Sequence, residues 1–291
     1  MKCSTAPAQT SAGRLGEVII VVSSGQPGFA NLQNSFAFAE TLSKSSLGLL
    51  VRGQVDVIWH QRFYPPTICQ AVLPRISEAC EAASYTLTSD LQSLGTSIGE
   101  ATESTENTER YLLTARDTIS MIRDELFRDY KSPCDVIRLL ADEYWPYGAM
   151  VGKHGGSTML SGIIRRWPSG GHANPHIDQR DISILSNYNL VRRIGINVYL
   201  ETPEDECGGE IEFWHKITDE ALYVSQKRSD YGLDRDQLGD PMLVIHPHQG
   251  DLIMFDAARL HGVRRVTGGS RVTAACFLGA KSTHDPLVVF A

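Results

Sequence analysis

A polar stretch near the middle of the chain contains the residues whose types and spacing best suit metal chemistry. Residues 171–181 read GHANPHIDQRD, with two histidines and two aspartates within ten residues. On a β-strand, side chains i and i+2 point to the same face, so His176 and Asp178 would project together. They form two thirds of the two-histidine-one-carboxylate set that binds non-haem Fe(II) and leaves coordination positions open. Because this spacing is common, it predicts a metal site only with support from elsewhere in the chain.

That support comes from a segment near the end of the chain. His261 follows an apolar strand pattern and a short turn in DLIMFDAARLHGVRRV, where its side chain can face inward. Ten residues later, Arg271 and Thr273 share one face of another predicted strand. An arginine with a nearby hydroxyl can hold a carboxylate through charge-assisted hydrogen bonds. The dicarboxylate that chelates Fe(II) through a keto acid and meets an arginine at its other end is 2-oxoglutarate.

Residues 160–280 resemble the Fe(II)/2-oxoglutarate-dependent oxygenases, particularly the branch like prolyl 4-hydroxylase. The family elements HxD, H and RxS/T occur here in order as His176/Asp178, His261 and Arg271/Thr273. Two connecting segments are also similar, namely CGGEIEFW at 207–214 and HQGDLIMFDAARLHGVRRV at 248–266. The resemblance implies that Fe(II), 2-oxoglutarate and O2 together oxidise a C–H bond of the substrate, with succinate and CO2 as the other products.

The substrate class implied by the resemblance is a free small molecule. LGTSIGEATES at 94–104 and GIIRRWPSGG at 162–171 are similar to members that modify small molecules, including halogenases and amino-acid hydroxylases. In those halogenases Gly or Ala replaces the carboxylate ligand, whereas Asp178 is present here. Hydroxylation or another oxygen-derived oxidation of an amino acid or natural-product intermediate is therefore expected.

Further candidate residues come from neighbouring predicted strands. Asn197 and Tyr199 share a face in GINVYL and would hydrogen-bond the cosubstrate carboxylate, with simple packing as the alternative. Two adjacent arginines alternate on the strand before the HxD motif, so that one faces inward and the other faces solvent. Either would suit an acidic substrate group. The predicted substrate-binding residues are Arg165, Arg166, Gln179 and Trp214.

Three other functions stay open at this point. One is a halogenase of the same fold, and another is an iron oxidase of the same fold in which Arg271 binds substrate and 2-oxoglutarate is not consumed. The third is a non-catalytic cupin-like binding protein with structural histidines. His246 and His248 form a rival HxH pair, but they lie where the family has a surface loop, and His172 is interpreted as a loop histidine.

The elements that must position these residues are mainly β-strands. After Gly155 and Gly156, short β-rich segments are bounded by Gly, Pro, Asn and Asp, which predicts a sandwich or jelly roll. The resemblance narrows this to a double-stranded β-helix, the cupin-like jelly roll. The eight predicted strands are 160–167, 175–178, 193–200, 210–214, 242–246, 251–255, 262–266 and 271–279.

The rest of the chain is predicted to support this core within one integrated domain. Residues 1–16 form a flexible tail, 17–150 an α/β region whose helices pack on the outside, and 151–291 the core with an insertion at 216–241. Within the support region, 47–59 contains one or two strands and a helix begins near Pro65. Pro74 interrupts or kinks that helix. The stretch 86–109 is a surface excursion, and 110–130 is helical.

Composition excludes several classes of partner. The chain has 291 residues and a formal net charge of -7, and no long Lys/Arg run offsets it. This argues against a nucleic-acid or anionic-membrane binder. Six scattered cysteines without a CxxC pair predict reduced thiols, and the apolar run 18–22 is too short to span a membrane. A cytoplasmic monomer or homodimer is expected.

Overall fold

Two sheets, antiparallel in their central strands and built from alternating segments of the chain, form the core of the protein. The computed structural model describes residues 10–15, 18–23, 35–82, 86–88, 91–101, 104–178, 182–216, 223, 225 and 232–291. Its strands, in chain order, are β1 Thr10–Leu15, β2 Val18–Ser23, β3 Ser35–Ala39, β4 Val57–His60, β5 Thr86–Thr88, β6 Leu91–Leu94, β7 Ala149–Val151, β8 Lys153–His154, β9 Ser157–Thr158, β10 Ile163–Pro168, β11 Ala173–His176, β12 Arg192–Glu201, β13 Ile211–Lys216, β14 Leu243–Ile245, β15 Leu252–Asp256, β16 Arg259–Val263, β17 Ser270–Ala280 and β18 Leu287–Phe290.

Five α-helices have bounds within the described part of the chain, and four of them lie before residue 133. They are α1 Lys44–Val51, α2 Pro66–Ala82, α3 Ile98–Ala101, α4 Thr105–Ser120 and α5 Pro133–Tyr144. A π-helical segment, Met121–Leu126, continues α4, and short 3-10 helices lie at Ser183–Tyr188 and Arg235–Gln237. In the part of the chain that the structure describes, no helix has the length and apolarity needed to cross a membrane.

The strand order is that of a double-stranded β-helix. The major sheet runs β15-β12-β17-β10 through its centre, and the minor sheet runs β11-β16-β13-β14. From β10 onward the chain therefore crosses repeatedly between the two sheets, so side chains from distant segments meet in the space between them. We call this space the barrel cavity. Residues of both sheets line it, including Arg165, Asn197 and Arg271 from the major sheet and His176 and His261 from the minor sheet.

The helices cover the other face of the major sheet. Side-chain alternation along β17 places Val272, Ala274 and Leu278 in the same apolar core as Ile76 of α2 and Ile137 of α5. The intervening residues of β17 face the barrel cavity. The helical support region predicted for the N-terminal half therefore packs on the outer side of the sheet, where its apolar side chains cover the wall behind the candidate site.

Long-range pairing overrides several local patterns in the N-terminal half. Residues predicted as a tail include β1, which pairs with β2 along its whole length. Residues Lys44–Val51 are helical, so the predicted strand region contributes only β4. Helix α2 runs without a break through Pro74, because its buried stripe of Cys69, Val72, Ile76 and Cys80 anchors both halves to the core.

The prediction of a surface excursion at 86–109 is wrong for the segment around residue 92. Residues Leu91–Leu94 form β6, which pairs with β10 in the major sheet, with Ile164 opposite Leu94. Leu91, Ser93 and Leu94 are buried there. The Ser- and Thr-rich composition of the surrounding segment hid a short strand that exists because β10 presents an open edge to it.

Candidate iron and 2-oxoglutarate site

Three predicted metal ligands meet at one end of the barrel cavity. His176 ends β11 and lies directly opposite His261 of β16 in the minor sheet. Asp178 Oδ1 is 3.6 Å from His176 Nε2, and Asp178 Oδ2 is 3.4 Å from His261 Nε2. One ligand atom from each of the three residues lies within 4.8 Å of the others, close enough to hold a single metal ion. Two imidazoles and a carboxylate are the donor set that suits Fe(II).

Backbone carbonyls orient both imidazole rings. His176 Nδ1 donates to the carbonyl oxygen of Asn174 at 2.7 Å, and His261 Nδ1 donates to that of Arg259 at 2.9 Å. Each ring therefore carries its proton on Nδ1 and directs the Nε2 lone pair toward the other ligands. In both cases the acceptor lies two residues earlier on the same strand, so the local strand geometry selects the ligating nitrogen.

Asp178 is positioned by a backbone contact and not by the strand alternation that the sequence predicted. Strand β11 ends at His176, so the strand rule for i and i+2 does not place this carboxylate. Instead, Asp178 N donates to the Ala257 carbonyl at 2.9 Å, which ties the residue to the turn between β15 and β16. Burial raises the pKa of Asp178, but the hydrogen bond and positive charge of His261, with His176 and Arg165, hold it below its usual range. The carboxylate is thus ionised, as a metal ligand must be.

The major-sheet wall of the barrel cavity presents hydrogen-bond donors to an anion. Arg271 is only 2% exposed, and its Nη2 donates to Tyr199 Oη at 3.1 Å. Among the described residues, Arg271 Nε and Thr273 Oγ1 are buried without a hydrogen-bond partner. Burial raises the pKa of Tyr199, so its phenol stays protonated. A guanidinium, a hydroxyl and a phenol on adjacent strands fit one carboxylate of 2-oxoglutarate, because buried donors of this kind require a partner.

The two adjacent arginines lie on opposite faces of β10. Arg165 lines the barrel cavity and is half-buried. Arg166 points away from the cavity, where Nη1 donates to Gln92 Oε1 at 2.9 Å and lies 3.8 Å from Glu81 Oε1. The structure therefore separates two side chains that the sequence treated as equivalent, and brings only Arg165 to the site. Asn197 of β12 also lines the cavity.

The other predicted substrate residues lie away from the barrel cavity or outside the described residues. Trp214 packs in an apolar cluster with Ile177 and Leu260, and its Nε1 donates to the Gly239 carbonyl at 3.1 Å. It thus packs behind the segments that carry the candidate ligands His176, Asp178 and His261. Gln179 and half of the 216–241 insertion lie outside the residues that the structure describes.

The remaining histidines of interest are not part of the triad. His246 Nε2 lies 3.3 Å from Asp205 Oδ1, and His248 Nδ1 lies 3.9 Å from Asp251 Oδ2. His172 Nδ1 is 3.4 Å from the Gly170 carbonyl. Within the described ranges, the one group of His, Cys, Asp and Glu side chains placed to hold a metal is the His176, Asp178 and His261 triad.

Two supporting contacts could not be found from sequence. The ring of Phe255 lies 4.5 Å from that of His261, and Gly195 sits opposite Phe255 across the β12–β15 pair. Arg259 bonds Asp56 through Nη2 at 2.5 Å, although 203 positions separate the two residues. The carbonyl of Arg259 is the acceptor that orients His261, so this half-buried ion pair ties the N-terminal region to a candidate metal ligand.

Comparison with known proteins agrees with this geometry. Residues 162–279 match the model of the 2OG-Fe(II) oxygenase superfamily. The chain is 30% identical over 137 residues to L-isoleucine 3(1)-dioxygenase of Pantoea ananatis, covering 44% of this chain and 45% of that protein. It is 27% identical over 106 residues to L-gamma-glutamyl-L-propargylglycine hydroxylase of Streptantibioticus cattleyicolor, covering 36% and 38%. The matches thus span less than half the length of these curated relatives.

A solved structure shares the fold over most of the chain. An N-substituted L-amino acid dioxygenase from Burkholderia ambifaria superposes with a TM-score of 0.57 at 16% identity, covering 91% of this chain and 96% of that one. At this identity the likeness concerns the fold alone. The superfamily match, by contrast, includes both histidines, Asp178, Arg271 and Thr273. The match to the model of the 2OG-Fe(II) oxygenase superfamily therefore covers the segment of the chain that carries the candidate site.

Proposed function

We propose that this protein is an Fe(II)- and 2-oxoglutarate-dependent dioxygenase that hydroxylates an unactivated C–H bond of a small molecule, such as an amino acid or a natural-product intermediate. One observation carries the proposal. The metal triad and the buried donors of Arg271 and Thr273 line the same cavity from opposite sheets. A dicarboxylate that binds a metal at one end and a guanidinium at the other fits that arrangement.

Each residue has a role that follows from its contacts. His176, Asp178 and His261 would hold the iron, while Arg271 and Thr273, with Tyr199 beside them, would hold the distal carboxylate of 2-oxoglutarate. Asn197 would contribute a further hydrogen bond to the cosubstrate. When bound, iron and 2-oxoglutarate supply O2 activation, in which the keto acid becomes succinate and CO2 and one oxygen atom enters the substrate.

The protein also keeps the reaction dry. Phe255 and Phe213 pack beside His261 at ring distances of 4.5 and 6.4 Å, and both phenylalanines are buried. Ile163 and Val263 add apolar surface on the two facing sheets. Excluding water protects a strongly oxidising site from side reactions and strengthens the electrostatic contacts within it.

The names of the relatives support an amino-acid-like substrate. The activities in these names concern L-isoleucine, L-gamma-glutamyl-L-propargylglycine and N-substituted L-amino acids. All three substrates carry a carboxylate, and Arg165 supplies the barrel cavity with a cation beyond Arg271. A halogenase of the same fold is disfavoured, because Asp178 occupies the position that a halide would need.

An optical titration tests iron and cosubstrate binding directly. Fe(II) and then 2-oxoglutarate would be added anaerobically to metal-free protein, and the visible charge-transfer band of the chelate recorded. We expect a band in the wild type and in Arg166→Met, whose side chain lies outside the cavity. His261→Ala should abolish the band, and Arg271→Met should require much more 2-oxoglutarate to form it. Iron binding without a band would favour the oxidase, and no iron binding would refute the proposal.

Turnover requires a second measurement. Succinate release under air would be followed with a panel of free and modified amino acids, and products analysed for a mass increase of one oxygen atom. Substrate-dependent succinate release with a hydroxylated product supports the hydroxylase. Chloride-dependent formation of a chlorinated product would establish the halogenase in its place.

A further inference from the structure

The side chain of Arg165 is the cavity group that the iron and 2-oxoglutarate leave unused. It lines the barrel cavity opposite Thr273 in the β10–β17 pair. Its Nε is buried and has no hydrogen-bond partner among the described residues. The Nε atoms of Arg166 and Arg271 are likewise unpartnered, but Arg166 donates to Gln92 through Nη1 and Arg271 donates to Tyr199 through Nη2, whereas the Arg165 guanidinium has no hydrogen bond to any described residue. A guanidinium held at a cavity wall without a protein acceptor needs a ligand acceptor, because leaving such a donor unpaired is costly.

The formal charges in the loaded cavity point to the kind of acceptor. A divalent iron, Arg165 and Arg271 bring positive charge, while Asp178 and the two carboxylates of 2-oxoglutarate bring negative charge. The positive charges exceed the negative ones by one. Within the described part of the chain, Asp178 is the one acidic side chain that lines the cavity. Since a buried uncompensated charge is unfavourable, the occupant that completes the site should carry one negative charge.

The same charges disfavour a free ammonium group on the substrate. Asp178 is committed to the metal, so the described lining offers no second carboxylate to an ammonium. Iron and Arg165 would both repel it. A carboxylate next to an uncharged nitrogen, as in an N-acylated or peptide-linked amino acid, satisfies Arg165 without that cost. The apolar neighbours Ile163, Phe255 and Phe277 suit an aliphatic side chain on the same molecule.

We propose, on the basis of the proposed function, that Arg165 binds the carboxylate of a substrate with net charge −1 and an uncharged nitrogen. The relatives named above include proteins of both kinds, one acting on a free amino acid and others on substituted ones. The charge of the barrel cavity favours the second kind. Arg165 is then the residue that sets this choice, and the inference concerns specificity within the oxygenase reaction.

A two-by-two substrate comparison on the Fe(II)-loaded full chain tests the charge argument. Each of several aliphatic amino acids would be offered as the free acid, the N-acetyl acid, the free amide and the N-acetyl amide. Succinate release above the substrate-free rate would be measured for each form. We expect the N-acetyl acid to be best, with kcat/KM at least about 10-fold above the free acid, and both amides to be inactive. The inference would be overturned if the free acid gave a higher kcat/KM than the N-acetyl acid, or if no form raised succinate release above the substrate-free rate.

Substitution of the two adjacent arginines tests the assignment to Arg165. Arg165→Met should raise KM for the N-acetyl acid about 10- to 100-fold, with a smaller change in kcat, and Arg165→Lys should recover part of the loss. Arg166→Met is the matched control and should leave both constants within about twofold. The 2-oxoglutarate affinity of Arg165→Met, read from the charge-transfer band, should also stay within about twofold.

The outcomes separate this inference from the proposed function. If Arg165→Met weakens 2-oxoglutarate binding as much as substrate binding, Arg165 is a cosubstrate residue and the inference is wrong, while the oxygenase proposal stands. If Arg165→Met leaves KM unchanged, Arg165 does not bind the substrate. Loss of the charge-transfer band in the wild type would instead refute the proposed function itself.

Discussion

A single added methyl group at Gly195 should disturb the metal site, because this glycine makes room for Phe255. A Cβ built at Gly195 lies 2.6 Å from Phe255 Cζ and 2.8 Å from Cε2. Ordinary carbon contacts begin near 3.5 Å, so the ring must move by roughly 1 Å. Phe255 is 2% exposed, and its ring lies 5.5 Å from that of Phe213 and 4.5 Å from that of His261. The displacement therefore passes to the metal ligand.

The expected size follows from overpacking in a close-packed core. Gly195→Ala should cost about 1–3 kcal/mol of unfolding free energy, or a fall in Tm of about 2–12 °C. A supporting residue that misorients a ligand typically weakens metal binding by about 10- to 100-fold, and we expect Fe(II) affinity to fall within that range. Thermal melts and anaerobic Fe(II) titrations of the same preparations measure both effects.

Two further variants make the prediction refutable. Gly99→Ala is the control, since a Cβ there meets no atom closer than 3.9 Å, and it should leave iron binding unchanged. Gly195→Ala combined with Phe255→Leu removes the clashing ring and should recover part of the iron affinity lost in Gly195→Ala. Unchanged Tm and iron affinity in Gly195→Ala, or no recovery in the double variant, would show that Phe255 does not transmit the clash to His261.

Three other perturbations have defined outcomes. Arg271→Met should raise the Kd for 2-oxoglutarate at least about 10-fold in the charge-transfer titration, and an unchanged Kd would remove it from the cosubstrate site. Asp56→Asn leaves Arg259 buried without its anion and should cost about 3–5 kcal/mol in urea unfolding, whereas a loss below about 1 kcal/mol would contradict the role of this pair. Burial raises the pKa of Asp135, but hydrogen bonds and nearby arginines lower it overall, so the stability that its ionised carboxylate contributes above about pH 4 is lost as the pH falls. The unfolding free energy measured from pH 7 down to pH 3 should therefore fall less steeply in Asp135→Asn than in the wild type. Identical pH profiles of the two proteins would refute this prediction.

The candidate site could be predicted from sequence because few residue types suit the chemistry that we propose for it. Iron ligation restricts the choice to imidazole and carboxylate, so His176, Asp178 and His261 stood out by type and order. Arg271 and Thr273 were recognisable for the same reason, since a buried carboxylate needs a guanidinium and a hydroxyl on one strand face. The short β-segments after Gly156 likewise predicted a sandwich or jelly roll, and the family resemblance narrowed this prediction to the double-stranded β-helix.

Other parts of the site depend on contacts that no local pattern records. Alternation required one of Arg165 and Arg166 to face inward, but only the pairing of β10 with β17 and β6 decided that it is Arg165. Asp178 lies beyond the end of its strand and is positioned by a bond to Ala257.

The partners that hold the ligands in place lie far away in the chain. Asp56 meets Arg259 across 203 positions, and Gly195 faces Phe255 only because β12 and β15 pair in that register. Periodicity and residue chemistry are local properties, so the sequence by itself determined the kind of site and the type of fold. Only the tertiary structure decided which face of a strand points inward, which residues pair across two strands and which side chain neutralises a buried charge. These features depend on the free energy of the whole packed core.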